Sequence, residues 1–221
     1  MRRRQSNIMS PESHAILCDL EKLRTAEPIR DFFGSNAHQY ILNPTLSEAT
    51  LQEFETRHAI QLPKEYRCFL LEVGNGGAGP HYGLFKLGET DSGWGHSSWA
   101  ESDGFVGDLS ESFPHTEPWN DLTGEPDNEK GCEEIYEAQL TAFEERYWAS
   151  ANVNGAIPIC HLGCALRQWL VVTGPEAGNV WCDDRADLKG LFPLIGKTGD
   201  RVTFYRWYRT WLDEALQYYA L

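Results

Sequence analysis

Residues 62–80 of the chain, LPKEYRCFLLEVGNGGAGP, contain the strongest indication of how the chain folds. Pro63 suits the first position of a helix, where its missing N–H group is not needed. Four glycines follow later within six residues, and glycine readily adopts the left-handed backbone that ends a helix. The stretch predicts a short helix that turns sharply into a strand over residues 82–88. The apolar residues that recur at helical spacing and form one face of this helix are Tyr66, Phe69, Leu70 and Val73.

A glycine-rich turn also occurs in phosphate-binding loops, so that interpretation has to be compared with a structural one. A phosphate-binding loop follows a strand, contains Gly-Lys-Ser or Gly-Lys-Thr, and opens a helix. In this stretch the order is reversed, and neither Lys-Ser nor Lys-Thr follows the glycines. A packed turn, in which larger side chains would clash, is the favoured interpretation.

Length and composition are typical of one domain with a sizeable core. The chain has 221 residues, of which 41% are hydrophobic, and it contains eight tryptophans. No run approaches the roughly 18–20 apolar residues of a membrane span, and the basic N-terminus lacks the apolar stretch of a signal peptide. Six cysteines are too few for a small disulfide scaffold. These observations predict a reduced, cytoplasmic protein.

The negative charge of the chain is concentrated in residues 89–145. The net charge is −14, and this acidic segment holds 16 of the 33 acidic residues but one of the 19 lysines and arginines. Nucleic acid is disfavoured as a direct partner, because phosphate contacts need a positive surface. Negative charge on a rigid platform would instead steer a basic protein partner towards the chain. The alternative is a solvated face that binds nothing.

The remaining patterns predict one α+β domain at residues 45–221. Residues 1–44 are predicted to be an N-terminal extension with a basic leader and one helix. In the domain, Thr45-Leu46-Ser47-Glu48 has the spacing of a capping box and opens a helix. A further helix is predicted at 130–148, and the last helix, at 202–219, has the most regular apolar stripe. Short strands are predicted at 156–160, 168–173 and 179–183, the last two joined as a hairpin.

The best candidates for chemistry are Cys160, His161, Cys164 and Cys182, which would form a zinc site if a hairpin brought them together. Side chains 160 and 161 of a strand point to opposite faces, however, and the spacing of a zinc finger is incomplete. Buried cysteines that act as small hydrophobic residues are the favoured interpretation. A Cys–His nucleophile lacks a residue that would orient the histidine. The chain is therefore predicted to have no catalytic residues, metal or cofactor.

Three sequence patterns occur in an order that resembles one family. The first is the Leu-Pro-x-x-Tyr-x-x-Phe-Leu helix that leads into Asn75-Gly76-Gly77. The second is Ile157-Pro158-Ile159, followed by Gly163-Cys164 and by the run from Leu170 to Gly174. The third is the terminal helix with Phe204 and Trp211-Leu212. Over roughly residues 45–216, the chain resembles the SUKH superfamily in its Smi/Knr-type branch.

The resemblance implies an α+β fold in which helices pack on a central, mostly antiparallel sheet. Many bacterial members of the superfamily are immunity proteins that bind and neutralise toxins, often nucleases, whereas fungal relatives serve as scaffolds in cell-wall regulation. The family has no common catalytic residues to transfer. Its shared residues have structural roles in packing and in the turn, and the matching positions are Leu62, Pro63, Tyr66, Phe69, Leu70, Gly76 and Gly77.

The first functional hypothesis is an immunity protein of a polymorphic toxin system, which binds a basic, nuclease-type toxin through an acidic face. The alternative is a general interaction or regulatory scaffold module of the same fold without a toxin partner. Both are binding proteins rather than enzymes, and neither requires contact with nucleic acid or a membrane. Tryptophans of the segment would anchor the partner, the alternative for each being packing on the protein's own core. The predicted partner-binding residues are Trp94, Trp99, Glu101, Asp103, Asp108, Glu111, Glu117, Trp119 and Asp121.

Overall fold

The computed structural model describes residues 9–26, 32–91, 96–99, 105–126 and 133–221. These residues form an α+β fold in which helices pack on an antiparallel sheet, and the predicted fold class is confirmed. The helices are α1 (Pro11–Arg24), α2 (Ser35–His38), α3 (Glu48–His58), α4 (Lys64–Glu72), α5 (Glu133–Tyr147) and α6 (Phe204–Tyr219). The strands are β1 (Glu89–Asp91), β2 (His96–Ser98), β3 (Ala156–Gly163), β4 (Leu166–Val171), β5 (Val180–Asp183) and β6 (Leu191–Pro193).

The main sheet is a meander in the order β3-β4-β5-β6, and each neighbouring pair is antiparallel. Trp169 of β4 pairs with Pro158 on one side and with Trp181 on the other. Strands β3, β4 and β5 lie where the sequence patterns predict them, whereas those patterns do not predict the short β6. Strands β1 and β2 form a separate two-stranded sheet.

The main sheet has a hydrophobic core on each of its faces. Successive side chains of a strand point to opposite faces, and Trp169 and Leu170 accordingly belong to different cores. The larger core contains Leu170 together with residues of α1, α4 and α6. The smaller core contains Trp169 and Trp181 together with Phe113 of the acidic segment. The helices α1, α4 and α6 and this part of the acidic segment therefore lie on opposite faces of the sheet.

Helix α4 begins immediately after Pro63 and joins the larger core through its aromatic residues. The ring centroid of Phe69 lies 5.2 Å from that of Phe204 and 4.9 Å from that of Tyr208. Burying a phenylalanine side chain contributes about 1.5–3 kcal/mol, so this contact holds α4 firmly against α6. The buried side chains of α4 are Tyr66, Phe69 and Leu70.

The glycines after α4 reverse the chain. Gly76 and Gly77 have φ values of 80° and 98°, in the left-handed region that favours glycine. A Cβ atom at Gly77 would lie 2.5 Å from the carbonyl oxygen of Ile41, too close for any side chain. The Gly77 N–H donates to the Leu84 carbonyl oxygen (2.9 Å), and the Leu84 N–H donates back to Gly77 (2.8 Å). The turn is therefore a close-packed structural element.

The predicted strand at residues 82–88 is wrong. Within this segment Leu84 makes a single bridge, and the Phe85 N–H donates to the Ile159 carbonyl oxygen of β3 (2.8 Å). Two glycines interrupt the extended backbone, because φ of an extended strand is negative. The segment therefore runs along β3 as a loop, and regular pairing begins with β1. The interrupting residues are Gly83 (φ 103°) and Gly88 (φ 89°).

Helix α1, which belongs to the predicted N-terminal extension, packs against α4 and α6. The Asp19 carboxylate accepts a hydrogen bond from the Arg209 guanidinium of α6 (2.7 Å). Just before the helix, the Ser10 N–H donates to the Glu72 carboxylate of α4 (3.0 Å). The extension thus shares a core with the rest of the chain. The residues of α1 that enter this core are Ile16, Leu20 and Leu23.

Helix α6 confirms the apolar stripe predicted at the end of the chain. Its inner side packs on the larger core, while Asp213 and Glu214 are exposed on its outer side. None of the described helices has the length and apolar character needed to cross a membrane. The buried residues of α6 are Phe204, Trp207, Tyr208, Trp211, Leu212 and Ala215.

Candidate partner-binding surface

The described middle of the acidic segment, residues 105–126, carries negative charge without any lysine or arginine. Its carboxylate side chains are exposed or partly exposed to solvent. A protein surface with one sign of charge attracts partners of the opposite sign over several ångströms. We call these five carboxylates the acidic surface: Asp108, Glu111, Glu117, Asp121 and Glu125.

The first part of the acidic surface is attached to the ends of β3 and β4. The Gly155 N–H, just before β3, donates to the Asp108 carbonyl oxygen (2.9 Å). Further along the chain, the Phe113 N–H donates to the carbonyl oxygen of Thr173, beyond the end of β4 (2.9 Å). Glu111 lies between these two attachments. Asp108 and Glu111 therefore stand on a backbone that the sheet holds in place.

The second part of the acidic surface is attached to the edge strand β6. The Trp119 N–H donates to the Leu191 carbonyl oxygen, and the Leu191 N–H donates to the Trp119 carbonyl oxygen, both at 2.8 Å. Gly190 permits this approach, since a Cβ atom there would overlap the Trp119 carbonyl oxygen. The partly buried Trp119 ring stacks on His115 (5.1 Å between centroids) and on Tyr147 (5.5 Å).

Local hydrogen bonds favour the ionised form of two of these carboxylates. The hydroxyl and N–H groups of Ser110 donate to Asp108 (2.7 and 2.8 Å), and they hold the pKa of Asp108 below its usual value. Hydrogen bonds from Thr123 likewise lower the pKa of Asp121. Asp121 also lies 3.6 Å from the Arg146 guanidinium. Within the described residues, the carboxylates of this surface that form no ion pair are Asp108, Glu111, Glu117 and Glu125.

Trp99 lies on the larger core, away from Trp119. Its indole N–H donates to the Glu89 carbonyl oxygen (2.9 Å), and its ring contacts Phe54 and His58 of α3. The side chain is partly buried, so one part packs on α3 and another part faces solvent. The ring of His58 is in turn close enough to Asp108 for their charges to interact. Trp99 and Asp108 therefore both lie next to the end of α3.

The structure arranges the predicted partner-binding residues in two groups. Asp108 and Glu111 belong to the part held by β3 and β4, and Trp119 and Asp121 belong to the part held by β6. Glu117 is exposed between these two attachments. The predicted residues that lie outside the described part of the chain are Trp94, Glu101 and Asp103.

Several residues that support the acidic surface are missing from the sequence prediction. Arg201 is the clearest example, because its guanidinium donates to the Thr116 carbonyl oxygen (2.6 Å) and to the Glu176 carboxylate (3.1 Å). It lies 85 residues from Thr116 along the chain. No local pattern predicts such a distant contact. Glu125, a member of the acidic surface, is also absent from the predicted partner-binding residues, although its position in the acidic segment is enough to predict an exposed carboxylate there.

The structure does not bring the four candidate zinc ligands together. Gln168 lies between two of them, accepting from the Cys160 thiol (3.3 Å) and donating to the Cys182 sulfur (3.7 Å). Burial raises the pKa of the Cys160 thiol, and it raises the pKa of Cys182 to about 11. His161 stacks on aromatic rings instead, and Cys164 is exposed in the β3–β4 turn. No group of three or more His, Cys, Asp or Glu residues in the described chain is placed to hold a metal.

Comparison with known protein families gives a match over most of the chain. The model of the SMI1 / KNR4 family (SUKH-1) matches residues 45–195, about two thirds of the chain. No curated protein and no solved structure matches significantly. The matched range includes α3, α4, the glycine turn and the whole main sheet, together with the acidic surface. It leaves out α1 and α6.

Proposed function

The chain belongs to the SMI1 / KNR4 family (SUKH-1), and on this premise we propose that it is an immunity protein. In this role it binds a cognate toxin and neutralises it by occupying the toxin's surface, without performing chemistry itself. The toxin binds to the acidic surface. The observation that carries the proposal is a set of exposed carboxylates, four of which form no ion pair with a described residue, on a backbone that hydrogen bonds fix to the main sheet.

The attachment of these carboxylates matters because a fixed charge loses little freedom when a partner binds. Ordering a free loop would oppose binding, since each immobilised side chain costs about 0.5–1.5 kcal/mol. Here the hydrogen bonds of Asp108, Phe113 and Trp119 order the backbone in the absence of a partner. A prearranged surface of one sign both speeds association and rejects partners of the same sign.

The partner that fits this surface is a basic protein, and we propose a nuclease-type toxin. A nuclease must approach phosphate groups, so its substrate-binding face carries lysine and arginine. An acidic surface that covers this face would compete directly with nucleic acid. The ionised state of Asp108, favoured by the hydrogen bonds from Ser110, keeps the charge of the surface at neutral and mildly acidic pH.

Trp99 and Trp119 are the proposed anchors at the two sides of the surface. Each is partly buried against the protein's own core, which fixes the ring, and each is also partly exposed. Rigid aromatic residues in such positions supply much of the binding energy in many interfaces. The carboxylates would then set the rate and specificity of association, while the two rings would contribute to the lifetime of the complex.

Capture of the partner tests this proposal. The full chain is immobilised beside a charge-neutral variant (Asp108→Asn, Glu111→Gln and Glu117→Gln) and exposed to extract of the source organism. We expect the wild-type chain to retain a basic protein with nuclease activity, identified by mass spectrometry, and the charge-neutral variant to retain much less. A control variant removes three exposed carboxylates elsewhere (Glu12→Gln, Glu21→Gln and Glu53→Gln) and should behave like the wild type. Equal retention by all three chains would refute the role of the acidic surface.

A further inference from the structure

Residues 34–42 lie before the range that the family model matches, and they pack on the C-terminal half of α6 and on the glycine turn after α4. We call them the strap. On one side, the Ile41 carbonyl oxygen accepts a hydrogen bond from the glycine turn (2.8 Å). On the other side, the buried Tyr40 ring stacks on Trp211 (6.2 Å between centroids), and its hydroxyl donates to that of Tyr219 (3.3 Å). The strap therefore helps to cover Trp211, which is 6% exposed.

The backbone of the strap is strained at two successive residues. Gln39 and Tyr40 have φ values of 49° and 57°, in the left-handed region. A residue with a Cβ atom adopts this conformation at a cost in free energy, and it keeps the conformation only where surrounding contacts hold it. Neither position is a glycine, so the backbone itself favours release of the strap once those contacts are lost.

His38 supplies one of these contacts through a ring nitrogen. Its Nδ1 accepts a hydrogen bond from the Tyr40 N–H (3.0 Å). The neutral ring therefore carries its proton on Nε2, and Nε2 has no hydrogen-bond partner among the described residues. The side chain is 9% exposed, and its ring packs edge-on against Tyr40 and Trp211 (5.3 and 5.6 Å between centroids). The contact that holds the strained backbone thus requires a neutral His38.

The described surroundings of His38 contain no opposite charge that would stabilise its protonated form. The Gly79 carbonyl group favours the proton, but less than burial opposes it, and the pKa of His38 is lowered to about 4. No described carboxylate forms a hydrogen bond or an ion pair with the ring. Its titratable neighbours carry no negative charge between pH 5 and pH 7, because tyrosine is uncharged there and histidine is a base. These neighbours, on the strap, on α6 and after the glycine turn, are Tyr40, Tyr208, Tyr219 and His81.

We propose that the strap is a pH-sensitive device, closed on α6 and the glycine turn while His38 is neutral and opened locally when His38 binds a proton. A proton on Nδ1 would face the Tyr40 N–H, so two donors would meet and the hydrogen bond would be lost. A charge would also be buried without a counter-charge. The strained residues are then released, and the open strap uncovers Trp211 while the main sheet stays folded. This response to acid goes beyond the binding of a toxin.

Amide hydrogen exchange of the full chain, measured by mass spectrometry, tests the proposal. The protection factors of the Tyr40 and Ile41 amides are compared at pH 7 and pH 5, since a protection factor removes the ordinary pH dependence of the exchange chemistry. The open strap binds the proton near pH 6.5 and the closed strap near pH 4, so protection should fall about 20-fold over this interval. The same fall should occur in about 1 M urea, because local opening exposes little surface.

Two variants of His38 separate its charge from its hydrogen bond. His38→Asn keeps an acceptor for the Tyr40 N–H but does not titrate, so protection of the strap should be equal at both pH values. His38→Phe has a ring but no acceptor, and it should lower protection at both pH values without any pH dependence. His81→Asn is the matched control, because asparagine tolerates the left-handed backbone at this position (φ 54°), and it should keep the 20-fold fall. Each comparison is a ratio within one variant, so differences in overall stability between variants do not affect it.

Other results would overturn the proposal. Wild-type protection that is equal at pH 7 and pH 5, or that falls equally in His38→Asn, would show that neutral His38 does not hold the strap closed. A loss of the pH dependence in His81→Asn would assign the response to His81. Strap amides with the same protection and the same urea dependence as those of β4 would show that the strap opens only when the whole fold unfolds. None of these results bears on the acidic surface, which the capture experiment tests separately.

Discussion

At the scale of single residues, backbone conformation and burial decide what a position tolerates. Gly77 and Gly199 both have left-handed φ values, 98° and 85°. A Cβ atom would meet the Ile41 carbonyl oxygen at Gly77, whereas nothing lies within 4 Å of a Cβ atom at Gly199. Substitution of Gly199 therefore measures the free-energy cost of an unfavourable backbone conformation alone, whereas substitution of Gly77 adds the cost of a steric clash.

The Gly77→Ala and Gly199→Ala variants are predicted to differ in stability. Gly199→Ala should lower the free energy of unfolding by about 1–2 kcal/mol, the cost of a left-handed alanine. Gly77→Ala adds a clash with the backbone, which costs roughly another 1–3 kcal/mol. Urea unfolding followed by tryptophan fluorescence measures both values. Equal losses would mean that the turn has room for a side chain.

His38 is predicted to make the stability of the protein depend on pH. Its Nδ1 accepts from the Tyr40 N–H (3.0 Å), its ring contacts Trp211, and burial lowers its pKa to about 4. The unfolded chain binds a proton near pH 6.5, so the contribution of His38 is complete above that pH and is lost as the pH falls towards 4. Between pH 7 and pH 5 the loss should be about 2 kcal/mol.

Replacement of the histidine measures this contribution directly. In urea unfolding at both pH values, His38→Gln should show a smaller pH dependence than the wild type, because glutamine does not titrate. His14→Gln, at an exposed histidine of α1, should keep the wild-type dependence. A His38→Gln variant with the full wild-type pH dependence would show that other groups cause it.

At the scale of elements, a buried ion pair connects β5 to α5. Arg185 donates to both carboxylate oxygens of Asp183 (2.8 and 2.7 Å), and both side chains are 1% exposed. The indole N–H of Trp169 also donates to Asp183 (3.0 Å), while Arg185 donates to the Tyr147 carbonyl oxygen at the end of α5 (3.2 Å). The Arg185 guanidinium lies over the Trp148 ring, 4.7 Å from its centroid. These contacts hold α5 behind the acidic surface.

Removal of one partner of this ion pair is predicted to destabilise the protein strongly. Asp183→Ala leaves the arginine charge buried without compensation, which costs about 3–5 kcal/mol. The double variant Asp183→Leu with Arg185→Met removes both charges and should regain much of that loss, since an apolar pair can replace a buried ion pair. Chemical unfolding gives both free energies. If the free energy of unfolding of Asp183→Ala lies within 1 kcal/mol of the wild-type value, the ion pair does not have this structural role.

The elements that the sequence predicts correctly are those with internal periodicity. Helix α6 has a continuous apolar stripe, and α4 follows Pro63 with apolar residues at helical spacing. Strand β6 has three residues and depends on pairing with β5 and with Trp119, so it has no periodic signal of its own. A helix can be predicted correctly while its capping residue is not. At the start of α3 the hydroxyl of Ser47, rather than that of Thr45, accepts the Thr50 N–H.

The charge of the acidic surface is predictable from the sequence, whereas its support is not. Glu111 and Glu117 belong to a segment whose composition alone indicates an exposed acidic face. The residues that fix this segment, such as Thr173, Leu191 and Arg201, come from distant parts of the chain. Their contacts result from the meander of the sheet.

At the scale of the whole molecule, the main sheet separates two hydrophobic cores, and the acidic segment contributes to both. Leu109 of this segment enters the larger core beside the helices, whereas Phe113 and Trp119 pack in the smaller core. Hydrogen bonds to Thr173, just beyond the end of β4, and to Leu191 of β6 fix the backbone of this segment. The molecule therefore presents exposed carboxylates, four of which form no ion pair with a described residue, on a backbone that distant parts of the chain hold in place.

The association rate between the chain and its captured toxin, measured by stopped-flow fluorescence at low and at physiological salt, tests the proposed function most directly. Electrostatic attraction raises association rates by about 10- to 1,000-fold, and salt screens it. We predict that the wild-type rate falls steeply with salt. The charge-neutral variant should associate at least tenfold more slowly at low salt and show little dependence on salt, while the control variant matches the wild type. A rate that neither salt nor the charge-neutral variant changes would contradict the assignment of the acidic surface as the toxin-binding site.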